Sequence, residues 1–207
     1  MIYRHSITAL LIFCLAVFCH GEEEQAHADR PTFPAKPKHD LYLAWHNTCL
    51  QGDTEAIDTA IKRYETQINS NVHDQLARVY LGSAHALRAK ASIWPPTKIK
   101  HIRKGQELMD EAVMKAPDNP RVRMIRAIGA YKVPKRFGRR NIAVTDFDKL
   151  APIALDKFTG LKINERQVIL YYAWLTFKDE ARPDAGKIKK QCHALDPGSK
   201  YGKLTSS

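Results

Sequence analysis

From residue 40 onward, apolar side chains recur at intervals of three and four residues, and the runs stop at glycines or prolines. Leu41, Trp45 and Cys49 form the first such stripe, and Asp53 is placed to cap the helix that follows. No window of four to eight residues alternates apolar and polar side chains in the manner of a strand bounded by turns. The sequence therefore predicts an all-α fold with about seven to nine helices.

Prolines mark several of the predicted helix ends. The third helix ends before Pro95, since a residue that precedes proline avoids the helical region, and the fourth helix covers residues 99–116. Pro152 and a later glycine predict a short helical turn and a loop over residues 151–163. The helix over residues 165–177 has apolar side chains around most of its circumference, which predicts that it is sandwiched between neighbours.

Small residues recur at matching places in two segments. The first set is Leu81-Gly82, Gly105, Leu108, Ala112 and Pro117, and the second is Tyr172-Ala173, Ala185, Cys192 and Pro197. This pattern resembles the tetratricopeptide repeat, in which small residues let the two helices of a hairpin approach closely and a proline ends the second helix. The resemblance implies a right-handed stack of antiparallel helical hairpins, an α-solenoid, with these small residues and prolines as packing positions. It also implies a binding scaffold and no reaction.

The first set departs from the repeat spacing. The glycine and the next small residue lie about 12 positions apart in a standard repeat, whereas Gly82 and Gly105 are 23 apart. This difference predicts an inserted loop of about 11 residues around 92–100. Trp94 is expected to pack on the inserted segment as a lid; the alternative is that Trp94 contacts a ligand.

The N-terminal region has the pattern of an export signal. Arg4 precedes an apolar run over residues 6–19, which is shorter than the roughly 20 residues that span a bilayer, and Gly21 lies at a candidate cleavage point. An exported chain, periplasmic or secreted, is therefore expected, with an uncleaved anchor as the alternative. The predicted organisation is a signal peptide over residues 1–21, a disordered proline-rich linker over 22–38, the repeat domain over 39–198 and a flexible tail over 199–207.

Cleavage would remove Cys14 and Cys19 and leave two cysteines near opposite ends of the domain. Cys49 and Cys192 both lie among apolar helix positions, which favours buried free thiols. The alternative is a disulfide between them, which would close a long loop and contribute about 4 kcal/mol in the chain-entropy model.

Positive charge is concentrated in one quarter of the chain. Residues 92–140 contain 13 Lys and Arg against four Asp and Glu, a net of +9, whereas the whole chain carries +11. The arginines in the turn near residue 136 are expected to be unpaired, so a bound anion would relieve their mutual repulsion. The alternative is that these bases provide solubility and pair with carboxylates such as Asp110 and Asp146. The predicted partner-binding patch consists of Lys98, Lys100, Arg123, Arg126, Lys132, Lys135, Arg136, Arg139 and Arg140.

Residues that could carry chemistry do not form a recognised motif. The histidines lack the i, i+4 spacing with a carboxylate that typifies a helical metal site. Ser83 and Ser92 lack the context of an activated nucleophile. The sequence therefore predicts no catalytic residue, no metal ligand and no cofactor.

Together these features predict an exported, non-catalytic helical scaffold that binds a protein or peptide partner, with an acidic partner favoured by the charge. The first alternative is a binder of anionic envelope polymer or lipid headgroups, in peripheral contact with the membrane. The second is an enzyme whose site is assembled across hairpins. Nucleic acid is not expected as a partner, because export removes the chain from most of it and no binding module is present.

Overall fold

A computed structural model describes residues 38–206, and this range is helical with short connections and no strand. The predicted all-α fold and helix number are confirmed. The α-helices are α1 Lys38–Cys49, α2 Thr54–Ser70, α3 Gln75–Ala91, α4 Pro95–Lys115, α5 Pro120–Lys132, α6 Arg140–Leu155, α7 Ile163–Asp179, α8 Ala185–Leu195 and α9 Lys200–Leu204, and a 3-10 turn covers Lys135–Phe137.

The odd-numbered helices form a row, and the even-numbered helices pack against that row. Each odd-numbered helix packs on the next odd-numbered one, so α1, α3, α5, α7 and α9 form one row, while the even-numbered helices pack mainly on their neighbours in the chain. The core lies between this row and the even-numbered helices and contains fully buried aromatic side chains, namely Tyr42, Tyr64, Tyr80, Phe147 and Phe177. Each hairpin thus buries its apolar stripe against the adjacent hairpins, as stacked helical pairs require.

Side-chain caps begin several helices. The carboxylate of Asp53 accepts from the backbone amides of Glu55 and Ala56 at 3.3 and 3.1 Å, in agreement with its predicted role. Asp74 caps α3 in the same way, and Asn119 caps α5. Because these caps satisfy amides that lack a partner inside the helix, they fix where the helices begin.

Two glycines lie where α3 and α4 touch. A Cβ atom on Gly82 would come within 2.7 Å of the Gly105 carbonyl oxygen, and a Cβ on Gly105 within 2.6 Å of the Gly82 oxygen. Both contacts involve backbone, which cannot move aside without separating the helices. The other predicted packing positions are Ala112, Ala185 and Cys192, which are buried, and Pro117 and Pro197, which follow the ends of α4 and α8.

The predicted inserted loop around residues 92–100 is wrong. The connection between α3 and α4 is only residues 92–94, because Pro95 and Pro96 start α4. Proline is favoured in the first helical turn, where its missing amide would be unpaired in any case. The extra residues therefore lengthen the two helices to 17 and 21 residues. Trp94 is 67% exposed, so the predicted packed lid is also wrong.

The predicted turn and loop over residues 151–163 is shorter than expected, since α6 continues through Pro152 to Leu155. The final carbonyls of α6 are satisfied from another helix. Arg166 on α7 donates from Nε to the Ala154 carbonyl at 2.7 Å and from Nη2 to the Leu155 carbonyl at 3.0 Å. Such long-range capping has no local sequence signal.

The segment 199–207 was expected to be a flexible tail, but its residues 200–204 form α9, which packs on α7 and α8. The hydroxyl of Ser199 donates to Gln167 Oε1 at 2.6 Å, and the Gln167 amide donates to the Asp196 carbonyl at 2.8 Å. Gly202 is buried against the Asp196 carbonyl, where a Cβ atom would collide. This close contact requires glycine. The predicted signal peptide and nearly all of the predicted linker lie outside the described residues.

Candidate functional site

Two of the predicted patch arginines lie inside the molecule. Arg123 Nη1 donates to Asp146 Oδ1 at 2.8 Å, and Arg126 binds both oxygens of the same carboxylate at 2.8 Å. Asp146 is fully buried and Arg123 is 8% exposed. Arg123 also donates to the Pro117 carbonyl, which ties α5 to the end of α4. This arrangement is an ion-pair network between α5 and α6, and it leaves Arg123 unable to contact a partner.

The arginines of the following turn are paired as well. Arg139 Nη2 donates to Asp110 Oδ1 on α4 at 2.6 Å. Arg140 lies 3.6 Å from Asp179 and 3.7 Å from Glu180, and its guanidinium stands 4.5 Å from the Tyr131 ring centroid. The expectation of unpaired arginines is therefore wrong for both. The alternative prediction from the sequence was that these bases pair with carboxylates such as Asp110 and Asp146.

Other bases of the predicted patch remain at the surface. Lys135 makes a long ion pair with Glu180 at 3.8 Å. Arg136 is exposed and stands over Phe137 at 5.3 Å. Lys132 is exposed, while Lys98 and Lys100 lie in the first turns of α4, far from this turn in sequence. The bases of the predicted patch therefore lie in separate parts of the molecule and do not form one continuous surface.

A buried carboxylate that sequence reasoning missed joins three helices of the odd row. Glu165, in the first turn of α7, accepts from Arg121 Nε of α5 at 2.6 Å and from His39 Nε2 of α1 at 3.0 Å. It also accepts from the Lys162 backbone amide at 2.7 Å. Nearby, Lys162 donates to Asp40 of α1 at 2.7 Å. The first and seventh helices therefore meet at their N-terminal ends.

The ionisation state of Glu165 fits a structural role at the junction of α1, α5 and α7. Burial on its own would raise the pKa of its carboxyl group, but hydrogen bonds from His39, Arg121 and the Lys162 amide lower the pKa to about 2. Glu165 is therefore ionised at neutral pH and cannot serve as a general acid there. The only local signal was a glutamate three residues after the N-cap residue Lys162, a common capping position.

A second feature that sequence reasoning missed is a continuous set of aromatic rings on α5, α7 and α9. Adjacent ring centroids are 5.9 Å apart for Tyr131 and Tyr172, 5.3 Å for Tyr172 and Tyr171, 5.8 Å for Tyr171 and Trp174, and 4.9 Å for Tyr171 and Tyr201. All five side chains are partly exposed. We call these five residues the aromatic band.

The aromatic band is bordered by cations. Lys132 lies 5.3 Å from the centre of the Tyr172 ring, Lys178 and Lys189 lie 5.7 and 5.5 Å from that of Trp174, and Lys200 lies 5.6 Å from that of Tyr201. Within residues 38–206, none of these four lysines forms an ion pair. The prediction that α7 is sandwiched between neighbours is confirmed, since α7 packs on α5, α6, α8 and α9. Its Ile169 and Phe177 face is buried, while its Tyr171, Tyr172 and Trp174 face is only partly buried.

Two histidines meet between α3 and α4, where their Nδ1 atoms are 2.9 Å apart. Burial, followed by the charges of His101 and Lys104, lowers the pKa of His85 to about 4. Burial lowers the pKa of His101 as well, so both rings are neutral near pH 7, and one donates while the other accepts. In the part of the chain that the structure describes, no group of three or more histidine, cysteine or acidic side chains is placed to hold a metal ion.

Cys49 and Cys192 are both buried free thiols on different hairpins. Burial raises the pKa of each thiol, which leaves both protonated and unreactive at neutral pH. A cleft of about 590 Å³ lies beside Asp74 and Lys115. Its lining combines polar loop residues with Leu76 and brings together no nucleophile and base.

Comparison with protein-family models, with curated proteins and with solved structures finds no match for this chain. Among the helices described, none is both long enough and apolar enough to cross a membrane. The geometry of the chain itself therefore carries the functional argument.

Proposed function

We propose that the chain is an exported, non-catalytic helical-repeat scaffold, similar to tetratricopeptide-repeat proteins, that binds an acidic segment of a protein or peptide partner through the aromatic band. The observation that carries this proposal is the run of five partly exposed rings across three helices, beside lysines that form no ion pair with any described residue. Tyrosine and tryptophan dominate the energetics of protein interfaces because they bury large areas at small entropic cost.

Charge complementarity favours an acidic segment over a neutral one. The lysines Lys132, Lys178 and Lys189 border the rings and make no ion pair within the described range. A carboxylate of the partner would meet a cation there while its apolar neighbour packs on a ring. This assignment moves the binding surface away from Arg123 and Arg126, which the ion-pair network occupies.

A peptide-display selection against the full chain tests the proposal. We expect the selected peptides to combine Asp or Glu with an aromatic or aliphatic anchor. Binding of one such labelled peptide is then measured by fluorescence anisotropy for Lys178→Glu/Lys189→Glu, which should raise Kd at least tenfold, about 1.4 kcal/mol.

Lys62→Glu/Lys149→Glu is the matched control, because it makes the same change in net charge at exposed positions of α2 and α6. The control should leave Kd within about twofold, since distant surface charges are screened at physiological salt. Equal losses in the two double variants would contradict a site at the aromatic band, and so would selection of no acidic peptide.

The salt dependence of binding distinguishes a peptide partner from the alternative of an anionic envelope polymer. A peptide with an apolar anchor should lose only a few-fold in affinity between about 50 and 300 mM salt, whereas a polyanion held by charge alone should lose far more. A steep loss together with no contribution from Trp174→Leu would favour the polyanion.

A further inference from the structure

The turn between α3 and α4 displays large apolar side chains to solvent. Ile93 is 96% exposed, Trp94 67% and Ile99 43%. Ile93 and Trp94 lie at the end of the hairpin, and Ile99 follows in the first turns of α4. Several large apolar side chains exposed side by side are unfavourable in water and mark an interaction site, whereas single apolar residues scattered over a surface are common. We call Ile93, Trp94 and Ile99 the apolar tip.

The apolar tip is held in place rather than loosely tethered. Arg88 Nη1 donates to the Ser92 hydroxyl at 3.0 Å, and that hydroxyl donates to the Arg88 carbonyl at 2.8 Å. Arg88 is itself fixed by Asp58 of α2 at 2.8 Å. On the other side, two consecutive prolines begin α4 with restricted backbone. The exposed side chains are therefore presented at a defined position, which reduces the entropic cost of binding.

Unpaired bases surround the apolar tip. Residues 75–106 contain no aspartate or glutamate. Five exposed or partly exposed bases lie in the last turn of α3 and the first turns of α4, and none of them forms an ion pair within the described part of the chain. Asp58, the carboxylate that contacts this region, is occupied by Arg88. The five bases are Lys90, Lys98, Lys100, Arg103 and Lys104.

We propose that the apolar tip docks on an anionic lipid bilayer, with Trp94 and Ile93 inserted among the headgroups and the surrounding bases against anionic lipid. Tryptophan favours the membrane interface because one part of its ring system is apolar and its N–H is polar. Basic residues next to an apolar insertion add electrostatic attraction to anionic headgroups. This binding would place the scaffold on a membrane surface and is independent of the partner proposed for the aromatic band.

The side chains of the tip favour a bilayer over a nucleic acid. A base can stack on an indole ring, but an almost fully exposed isoleucine offers nothing to a base edge or phosphate. The tip projects from the end of a hairpin, and the 590 Å³ cleft lies elsewhere, beside Asp74 and Lys115. A deformable apolar layer beneath a charged surface matches both the aliphatic and the basic side chains.

Quenching by brominated lipids tests the insertion directly. The full chain has tryptophans at 45, 94 and 174, and only Trp94 belongs to the tip. Vesicles of phosphatidylcholine with about 30% phosphatidylglycerol and bromines on the upper acyl carbons should quench the wild-type emission. Trp94→Phe should remove at least half of that quenching. This readout reports the tip even where another segment of the chain also attaches to the vesicle.

Vesicle sedimentation supplies the second readout. Ile93→Ser/Trp94→Ser should lower the partition coefficient at least tenfold, and Lys98→Gln/Lys100→Gln should lower it several-fold and weaken its salt dependence. Phe158→Ser is the matched control, because Phe158 is 83% exposed beside Lys157 in the α6–α7 connection. This control should partition like the wild type.

The proposal is overturned if quenching is unchanged in Trp94→Phe, or if the apolar tip variant partitions like the wild type on anionic vesicles. Loss with the lysine variant alone, without loss in the tip variant, also overturns insertion and indicates adsorption by charge. Circular dichroism of each variant checks that the helical fold is intact, as expected for substitutions at exposed positions.

Discussion

The α3–α4 hairpin and the α5–α6 hairpin share most of the excess positive charge, and they use it in different ways. In α5, Arg123 and Arg126 face Asp146, a fully buried carboxylate of α6. At the start of α4, Lys100 is exposed and Lys98 is partly exposed, and neither forms an ion pair within residues 38–206. Charge density along a sequence therefore does not define a surface; the acidic residues on the neighbouring helix decide which bases remain available.

The largest effect should come from removing the carboxylate of the buried network. Asp146→Asn would leave Arg123 without a counter-charge in the core and Arg126 with its longer contact to Asp110 at 3.4 Å, and we expect it to lower the free energy of unfolding by about 3 to 5 kcal/mol. Asp148→Asn is a control two residues away, since Asp148 pairs with Arg182 at 2.6 Å but is close to half exposed. This control should cost less than about 1 kcal/mol, and similar losses in urea denaturation would contradict a special role for burial.

Acidification should destabilise the α3–α4 hairpin, which contains His85. The pKa of His85 is about 4 in the folded chain and 6.5 in its unperturbed state, so the unfolded chain binds more protons between these values. Its contribution to stability is fully present above pH 6.5 and is lost as the pH falls from there to about 4. Between about pH 7.5 and 5 the loss should reach about 2 kcal/mol.

His85→Gln should remove this part of the pH dependence, and His73→Gln, in an exposed turn, should not. His46 and Glu165 also favour stability at neutral pH, since their folded pKa values are about 4 and about 2. Glu165 loses its contribution only below about pH 4.5. A flat profile between about pH 7.5 and 5 in the wild type would contradict a neutral, hydrogen-bonded histidine pair.

Close backbone packing joins α3 to α4, in addition to the ion pair between Arg78 and Glu111 at 3.1 Å. Gly82→Ala places a methyl group against the Gly105 carbonyl and the Met109 side chain, so we expect a loss of about 1 to 3 kcal/mol in unfolding free energy. Gly186→Ala is the control, because no atom lies within 4 Å of a Cβ added there. The control should be neutral or slightly stabilising, since alanine is the better helix former. Thermal unfolding of both variants decides between these outcomes.

Much of the fold could be predicted because helix patterns are local. The Asp53 cap, the apolar stripes and the proline stops depend on residues a few positions apart. Pro95 and Pro96 misled the prediction because proline can end one helix or begin the next. The docked C-terminal helix depends on Ser199 and Gln167, which are 32 residues apart, and no local pattern indicates such a contact.

The candidate site was harder to predict because it also depends on contacts between residues that are far apart in the sequence. Tyr171, Tyr172 and Trp174 are visible in the sequence as an apolar run, but their joining with Tyr131 and Tyr201 needs three helices to be packed. Likewise, the pairing of Arg123 with Asp146 spans 23 positions. Residue type and local spacing do not determine whether a charge is paired across hairpins.

The smallest expected effect belongs to the free bases near the apolar tip. Lys98→Gln/Lys100→Gln should change the free energy of unfolding by less than about 0.5 kcal/mol, because exposed charges contribute little to stability. These substitutions remove two charges and leave polar side chains in their place. They remove the same number of positive charges as a double substitution of Arg123 and Arg126 to glutamine.

The most direct test is therefore urea denaturation of Arg123→Gln/Arg126→Gln beside Lys98→Gln/Lys100→Gln at neutral pH. The first pair should lose about 3 kcal/mol or more, since Asp146 is left buried without its partners, and the second pair should unfold like the wild type. Equal stability of the two double variants would contradict the division of the basic segment into a buried ion-pair network and solvent-accessible bases near the apolar tip.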